Sequence, residues 1–332
     1  MKKPHVLIAR DVFPEVLQRL RQHFDVEDNP ADTVFTAAEL VQRLQGKQGA
    51  FTTGSERITA ELLAACPQLR VVANMAVGYN NFDIAACTAR GVLATNTPDV
   101  LTETTADFGF ALMMASARRM AEGEHFLRSG AWTKWRYDMF TGSDIHGATL
   151  GVLGMGRIGQ AIARRGALGF GMQVIYHNRS RLPEAVEREL SARWVDKTTL
   201  LTQADHLVLV LPYSAQSHHS IGAAELALMK PTATLTNIAR GGIVDDAALA
   251  AALRAGQIAA AGLDVFEGEP GLHPDLLSVP NIVLPPHIAS ASVATRLAMA
   301  NLAADNLIAA LTGATAPTPI NPEVLHSPQW RP

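Results

Sequence analysis

Short apolar runs alternate with stretches whose apolar residues recur at helical spacing, and the alternation continues along almost the whole chain. Residues 5–9 read as a strand, and Pro14 opens a helix carrying Val16, Leu17 and Leu20 on one side. A helix over 36–44 and a short strand over 49–51 follow. Thr59 is placed to cap a helix through Ala64, ahead of a strand over 70–74. A helix over 83–90 and a strand over 92–94 come next, closed by Asn96 and Pro98. Residues 102 to about 128, rich in alanine and methionine, read as one long helix. Beyond it, continuous apolar runs over 150–153, 173–176, 206–211, 233–238, 259–265 and 282–284 suit strands covered on both faces. A last helix, about 292–311, precedes a tail with Pro317, Pro319, Pro322, Pro328 and Pro332 that should be irregular. Alternation of these element types predicts an α/β chain with parallel, doubly wound sheets.

At 332 residues the chain is long enough for two domains, each with its own core. The near-balanced charge of −3, without a long basic run, disfavours nucleic acid and anionic membrane as partners. Residues 108–117 form the longest conspicuous apolar run, short of the roughly 20 needed to span a bilayer. Lys2-Lys3 precedes too little apolar chain for a signal peptide. Cys66 and Cys87 form neither a metal nor a disulfide pattern, and no metal site is expected. A cytoplasmic protein acting on small molecules is the expectation.

The candidate chemistry begins at residues 149–163. An apolar strand runs into Gly154, Gly156 and Gly159, and helix-forming residues follow at once. That is G-x-G-x-x-G in its strand-to-helix context, the fingerprint of a dinucleotide-binding turn. Free N–H groups at the helix start would face a pyrophosphate. An acidic residue should follow about 20 residues later to hold the ribose 2′-OH. Asn178 stands there instead, and no carboxylate appears before Glu184, while Arg179 and Arg181 flank Ser180. Guanidinium groups bind a 2′-phosphate that a carboxylate would repel, so NADP(H) is favoured and NAD(H) is the second choice. A solvated basic loop would account for the arginines but not for the missing acid.

Three polar residues sit where later strands should end: Arg240, Glu269 and His287. Ligands of open α/β sheets bind beyond the carboxyl ends of the strands, so all three could share one crevice. Reduction of a 2-oxo acid needs a protonated group near the carbonyl oxygen, and histidine, with an ordinary pKa near neutrality, suits that work. A neighbouring carboxylate stabilises the imidazolium, and a guanidinium can bind the substrate carboxylate and polarise the carbonyl. Taken singly, each has a bland alternative: a surface arginine, a loop carboxylate, a structural histidine.

The runs over 237–245 (NIARGGIVD), 261–270 (AGLDVFEGEP) and 286–290 (PHIAS), with the fingerprint, resemble the D-isomer-specific 2-hydroxyacid dehydrogenases over essentially the whole chain. The resemblance implies that Arg240 binds substrate, Glu269 is the acid partner and His287 the proton donor. It places Asp264 and Thr105 beside the nicotinamide. Cofactor contacts are implied at Gly154, Gly156, Arg157, Ile158, Gly159, Asn178, Arg179, Ser180, Arg181, Pro212, Ala239 and Ala289. Within the family, the likeness is to glyoxylate/hydroxypyruvate reductases, including those called 2-ketogluconate reductases. Residues 75–83 (MAVGYNNFD) resemble their substrate loop, where backbone N–H groups of Val77 and Gly78 would receive the carboxylate. Residues 130–135 resemble a segment whose tryptophan, here Trp135, closes the partner's pocket in a homodimer.

The resemblance also implies two Rossmann-like domains. A discontinuous substrate domain would take residues 1–100 and 292–332, and an NAD(P)-binding domain 101–291, with hinges near Pro98 and Ala289. Formate dehydrogenases pair the histidine with glutamine where this chain has Glu269, and phosphite dehydrogenases place a lysine where it has Val77. Phosphoglycerate dehydrogenases often add a regulatory domain for which no residues are left. Two alternatives stay open: another 2-hydroxyacid specificity, and a dinucleotide-sensing module without turnover.

Overall fold

The computed structural model describes residues 3–330. Lys2 and Pro332, which entered the reading of the two ends, lie outside the described residues. The chain folds as two compact units. One runs to Leu101 and resumes at Ala291, and the other spans Thr102–Ser290.

In the first unit, β1 (His5–Ile8), β2 (Asp25–Glu27), β3 (Gly49–Thr52), β4 (Val71–Asn74) and β5 (Leu93–Thr95) form a parallel sheet ordered β2-β1-β3-β4-β5. The expected local signals operate. Pro14 begins the helix Pro14–His23, which buries Val16 and Leu20. Thr36 and Glu39 close a capping box on Ala37–Leu44, and Thr59 caps Ala60–Ala65. The helix Val293–Leu311 returns to this unit and covers one face of its sheet. Leu307 and Leu311 are buried with Val6, Ile8, Phe51 and Val71. Where irregular tail was expected, Asn321 donates to Val92 O and accepts from Ala94 N, anchoring a 3₁₀ turn over Pro322–His326 that buries Val324.

In the second unit, β6 (Thr149–Leu153), β7 (Gln173–His177), β8 (Ala192–Trp194), β9 (His206–Leu209), β10 (Thr234–Asn237), β11 (Ala260–Leu263) and β12 (Ile282–Val283) form a seven-stranded parallel sheet. Its order is β12-β11-β10-β9-β6-β7-β8, the doubly wound Rossmann arrangement extended by one strand. The order reverses between β6 and β9, so the ligand crevice of such a sheet lies beyond their carboxyl ends. β9, β10 and β11 are buried along their whole length, as strands of a parallel sheet covered on both faces are, and they enclose the polar His206, Thr234, Thr236 and Asn237 as well as apolar residues.

The one long helix expected over 102–128 is two. Thr102–Ala117 buries Ala106, Phe110 and Met113, whereas Met120–Arg128 buries nothing. Arg119, between them, takes φ +52 and forks onto Glu122 at 3.0 and 2.6 Å. Helical composition continues through the break, but the burial that stabilises the first helix stops there.

Candidate active site

β6 ends in the glycine turn. Gly154 adopts φ +101, and a Cβ there would lie 2.7 Å from Leu211 N; one on Gly159 would lie 2.3 Å from Gly154 O. Both positions admit only glycine without rearrangement. Gly156 caps the helix Arg157–Arg164, and a Cβ on it would meet nothing within 4 Å. The turn therefore has a helix start without a side-chain cap and open space before it, the cradle a pyrophosphate needs. Arg157 is exposed, and Ile158 packs against the core. Thr105 is buried with a hydroxyl that has no hydrogen-bond partner, a polar atom suited to a ligand amide. These features fit a dinucleotide.

The loop after β7 departs from the expectation in one respect. Asn178 Oδ1 accepts from Met155 N at 2.7 Å, so the amide braces the glycine turn. Arg179 and Ser180 are exposed. Arg181, expected to face a phosphate, forks onto Glu187: Nε lies 2.9 Å from Oε1 and Nη2 lies 2.6 Å from Oε2. The buried Tyr176 hydroxyl donates to the same carboxylate at 2.7 Å. The Arg181 fork, against the cost of burial and with help from Tyr176, holds the Glu187 carboxyl down at about 2 from an ordinary 4.5. Burial, with the negative Glu187 adding to it, pushes the Tyr176 phenol up to about 12.

The folded value for Glu187 lies below that of an unfolded chain, so its ionisation stabilises the fold. That contribution is complete above pH ~4.5 and is lost as pH falls toward ~2. Glu187→Gln should therefore lower Tm at neutral pH and flatten the decline of Tm across that window. Melting curves that parallel the wild type at every pH would exclude the linkage.

The other polar residues converge from three strand ends. After β10, Asn237 donates to Arg240 O at 3.2 Å and accepts from Ala239 N at 3.0 Å, shaping the turn that carries the half-buried Arg240. Arg240 Nη1 donates to Ala239 O at 2.7 Å. A Cβ on the next residue, Gly241, would lie 1.7 Å from Phe266 O, so the arginine turn is pressed against the loop after β11. In that loop Glu269 Oε1 accepts from Phe266 N at 2.8 Å, and Oε2 lies 2.7 Å from His287 Nδ1. Burial opposes ionisation of Glu269, but His287, the Phe266 N–H and Arg240 outweigh it and hold the carboxyl below its ordinary value. Burial pushes the Arg240 guanidinium down, with Glu269 opposing.

Asp264, wholly buried at the end of β11, accepts from Ile288 N at 2.8 Å and Ala289 N at 2.9 Å. Burial raises its carboxyl above the ordinary value despite those bonds. They tether the chain just past His287, whose φ of +54 is a left-handed conformation costing a non-glycine residue ~1–3 kcal/mol. Asp264 is thus a strut for the histidine loop in this structure.

The structure brings Arg240, Glu269, His287, Asp264, Ala239 and Ala289 into adjoining loops of one unit. Pro212 lies on the exposed loop after β9, where its carbonyl accepts from Ser217 Oγ. Val77 and Gly78 belong to the other unit, in the loop after β4, where Asn96 and Asn74 donate to their carbonyls at 2.8 and 3.1 Å. Trp135 is 74% exposed, close in sequence to the exposed Trp132 and Tyr137. Sequence reasoning missed His219. Its Nε2 lies 2.8 Å from Glu267 Oε2 and its N–H donates to Gly242 O at 2.7 Å, linking the loops that carry Glu269 and Arg240. The partners stand 48 residues apart, so no spacing rule could have paired them. With His218 they also form a group of metal-ligating types, all exposed, whose donor atoms lie within 4.8 Å of one another.

Comparison with known proteins agrees with this architecture. Residues 110–289 match the D-isomer specific 2-hydroxyacid dehydrogenase, NAD binding domain family. A glyoxylate reductase of Thermococcus onnurineus is 49% identical over 328 residues, which cover 98% of each chain. The structure of a glyoxylate reductase from Paecilomyes thermophila superposes with a TM-score of 0.87 at 30% identity, covering 97% of this chain and 100% of that one. That of an NADPH-dependent glyoxylate/hydroxypyruvate reductase from Sinorhizobium meliloti, in complex with NADP and malonate, does so with a TM-score of 0.83 at 37% identity, covering 96% and 97%. Among the described residues, no helix is long and apolar enough to cross a membrane. A Rossmann sheet with a glycine turn, polar loops at its carboxyl edge and full-length relatives of one kind lead to one conclusion: the chain belongs to the D-isomer specific 2-hydroxyacid dehydrogenases, a family of NAD(P)-dependent oxidoreductases.

Proposed function

We propose that the protein is an NADPH-preferring reductase of small 2-oxo acids, converting glyoxylate, hydroxypyruvate or 2-ketogluconate to the D-2-hydroxy acid. The observation that carries this reading is the Glu269–His287 contact of 2.7 Å beside Arg240, at the carboxyl edge of the sheet that holds the glycine turn. The second unit is the cofactor domain and the first the substrate domain. The bound nicotinamide supplies the hydride that adds to C2. Contact of His287 Nδ1 with Glu269 leaves Nε2 to give its proton to the carbonyl oxygen. Glu269, ionised at neutral pH, stabilises the imidazolium. Arg240 holds the substrate carboxylate and polarises the carbonyl, and the backbone N–H groups of Val77 and Gly78 are further donors for a carboxylate. Thr105 and Asp264 serve the nicotinamide end, and Gly154, Gly156 and Gly159 the pyrophosphate. The names of the relatives support the substrate class, and the loop of Asn178, Arg179 and Ser180 supports NADPH. We further propose a homodimer in which Trp135 reaches the partner's pocket.

Consumption of NADPH and of NADH, followed by absorbance with each of the three 2-oxo acids, tests the reading. Turnover of none of them would overturn it and favour a dinucleotide-sensing module. Arg179→Ala should raise KM for NADPH at least ~10-fold and change KM for NADH less than ~2-fold, because it removes a charge that only the 2′-phosphate meets. Equal effects on both dinucleotides would remove the cofactor preference from this loop.

A further inference from the structure

We propose that Glu187 is a positioning residue for the 2′-phosphate of NADPH, acting through Arg181; this deepens the NADPH reading above and rests on it. Glu187 lies in the first turn of the helix Glu184–Glu189 and is buried, whereas the Arg181 side chain is 64% exposed. The carboxylate grips one edge of the guanidinium, Nε and Nη2, at 2.6–3.1 Å. A guanidinium carries five N–H donors in a rigid planar fork, so seizing one edge fixes the direction of the other. The outer edge of Arg181, with Nη1, is thereby held in one orientation on an exposed side chain.

The rest of the turn is trussed around the same carboxylate. Tyr176 OH donates to Glu187 Oε1 and accepts from Leu182 N at 2.8 Å, fastening the far end of the loop. At the near end, Asn178 accepts from Met155 N through its side chain and from Trp194 Nε1, at 3.2 Å, through its carbonyl. Arg179 and Ser180 form the exposed crest between these anchors. A carboxylate beside a phosphate site would ordinarily repel the ligand. Its charge is cancelled here by the arginine it orients, so Arg179 leaves the loop net positive.

A salt bridge that only stabilises the fold would affect both dinucleotides alike, and this difference provides the test. Kd for NADPH, NADH, 2′,5′-ADP and 5′-AMP would be measured by titration on the wild type, on Glu187→Gln and on Tyr176→Phe, which removes only the hydroxyl. In Glu187→Gln, Kd for NADPH and 2′,5′-ADP should rise about 5- to 20-fold, the loss of one well-placed charge-assisted contact. Kd for NADH and 5′-AMP should stay within about 2-fold, and Tyr176→Phe should show the same selectivity at smaller size. Parallel changes for both pairs of ligands, or none in either variant, would overturn the role of Glu187 while a wild-type preference for NADPH stands. A wild type that binds NADPH no better than NADH would overturn the underlying reading and this proposal together.

Discussion

Replacing His287 with alanine should lower kcat for 2-oxo acid reduction by about 10²–10⁴-fold, the usual worth of a placed general acid. Cofactor affinity should change little, because the nucleotide cradle around Gly154 and Gly156 is built from other elements. Three devices converge on that imidazole: the Glu269 carboxylate at Nδ1, the Asp264 carboxylate on the two following N–H groups, and a left-handed backbone at the histidine itself. So much local order around one exposed side chain is characteristic of a functional position. Steady-state kinetics with glyoxylate and saturating NADPH, beside a direct measurement of NADPH binding, would decide. Turnover within about threefold of wild type, with binding intact, would remove His287 as the proton donor and leave the Glu269 pair a structural one.

Arg240→Lys should lower kcat/KM by roughly 10²–10³-fold, with both KM and kcat affected. Lysine keeps the charge but not the planar fork, so it cannot bind a carboxylate through two parallel bonds while polarising the adjacent carbonyl. The turn around Arg240 is set by backbone and by Asn237, not by the guanidinium alone, so the variant should fold. Equal Tm values for the two proteins would establish that. A loss confined to KM would show that Arg240 binds the carboxylate without serving the carbonyl, and a change below about 5-fold would exclude it from the site.

Much of this architecture could be read from the chain before folding, for identifiable reasons. Parallel strands buried on both faces favour largely apolar runs, so β6, β9 and β11 were visible, as were caps such as Thr59. The edge strands β2 and β8 were not, because each is three residues long, only partly covered, and dominated by polar or exposed positions. The break at Arg119 was hidden because composition stays helical while burial stops. The runs ending at Leu211 and Val265 outlast their strands, since apolar chain continues into the loops that border the crevice. Periodicity found the final helix but could not say which sheet it covers; that came only from resemblance.

At the site, Arg240, Glu269 and His287 each follow a recognisable strand, but position left each a bland alternative, and only the family resemblance assigned them roles. The bonds Arg181 makes were not legible. Its partner Glu187 lies six residues on and across the start of a helix, a separation with no regular geometry. The contacts of His219 were hidden for the same reason, its partners being fixed only by the folded loops.

The return of the Val293–Leu311 helix to the first sheet has a consequence for biosynthesis. The opening strands leave the ribosome long before the segment that shields Val6, Ile8 and Phe51 has been made. Domains ordinarily mature in the order of synthesis, but here the middle of the polypeptide has all its own parts first. The amino-terminal portion must wait, one side of its sheet bare, and nascent chains stalled before Ala291 should be the ones that chaperones hold.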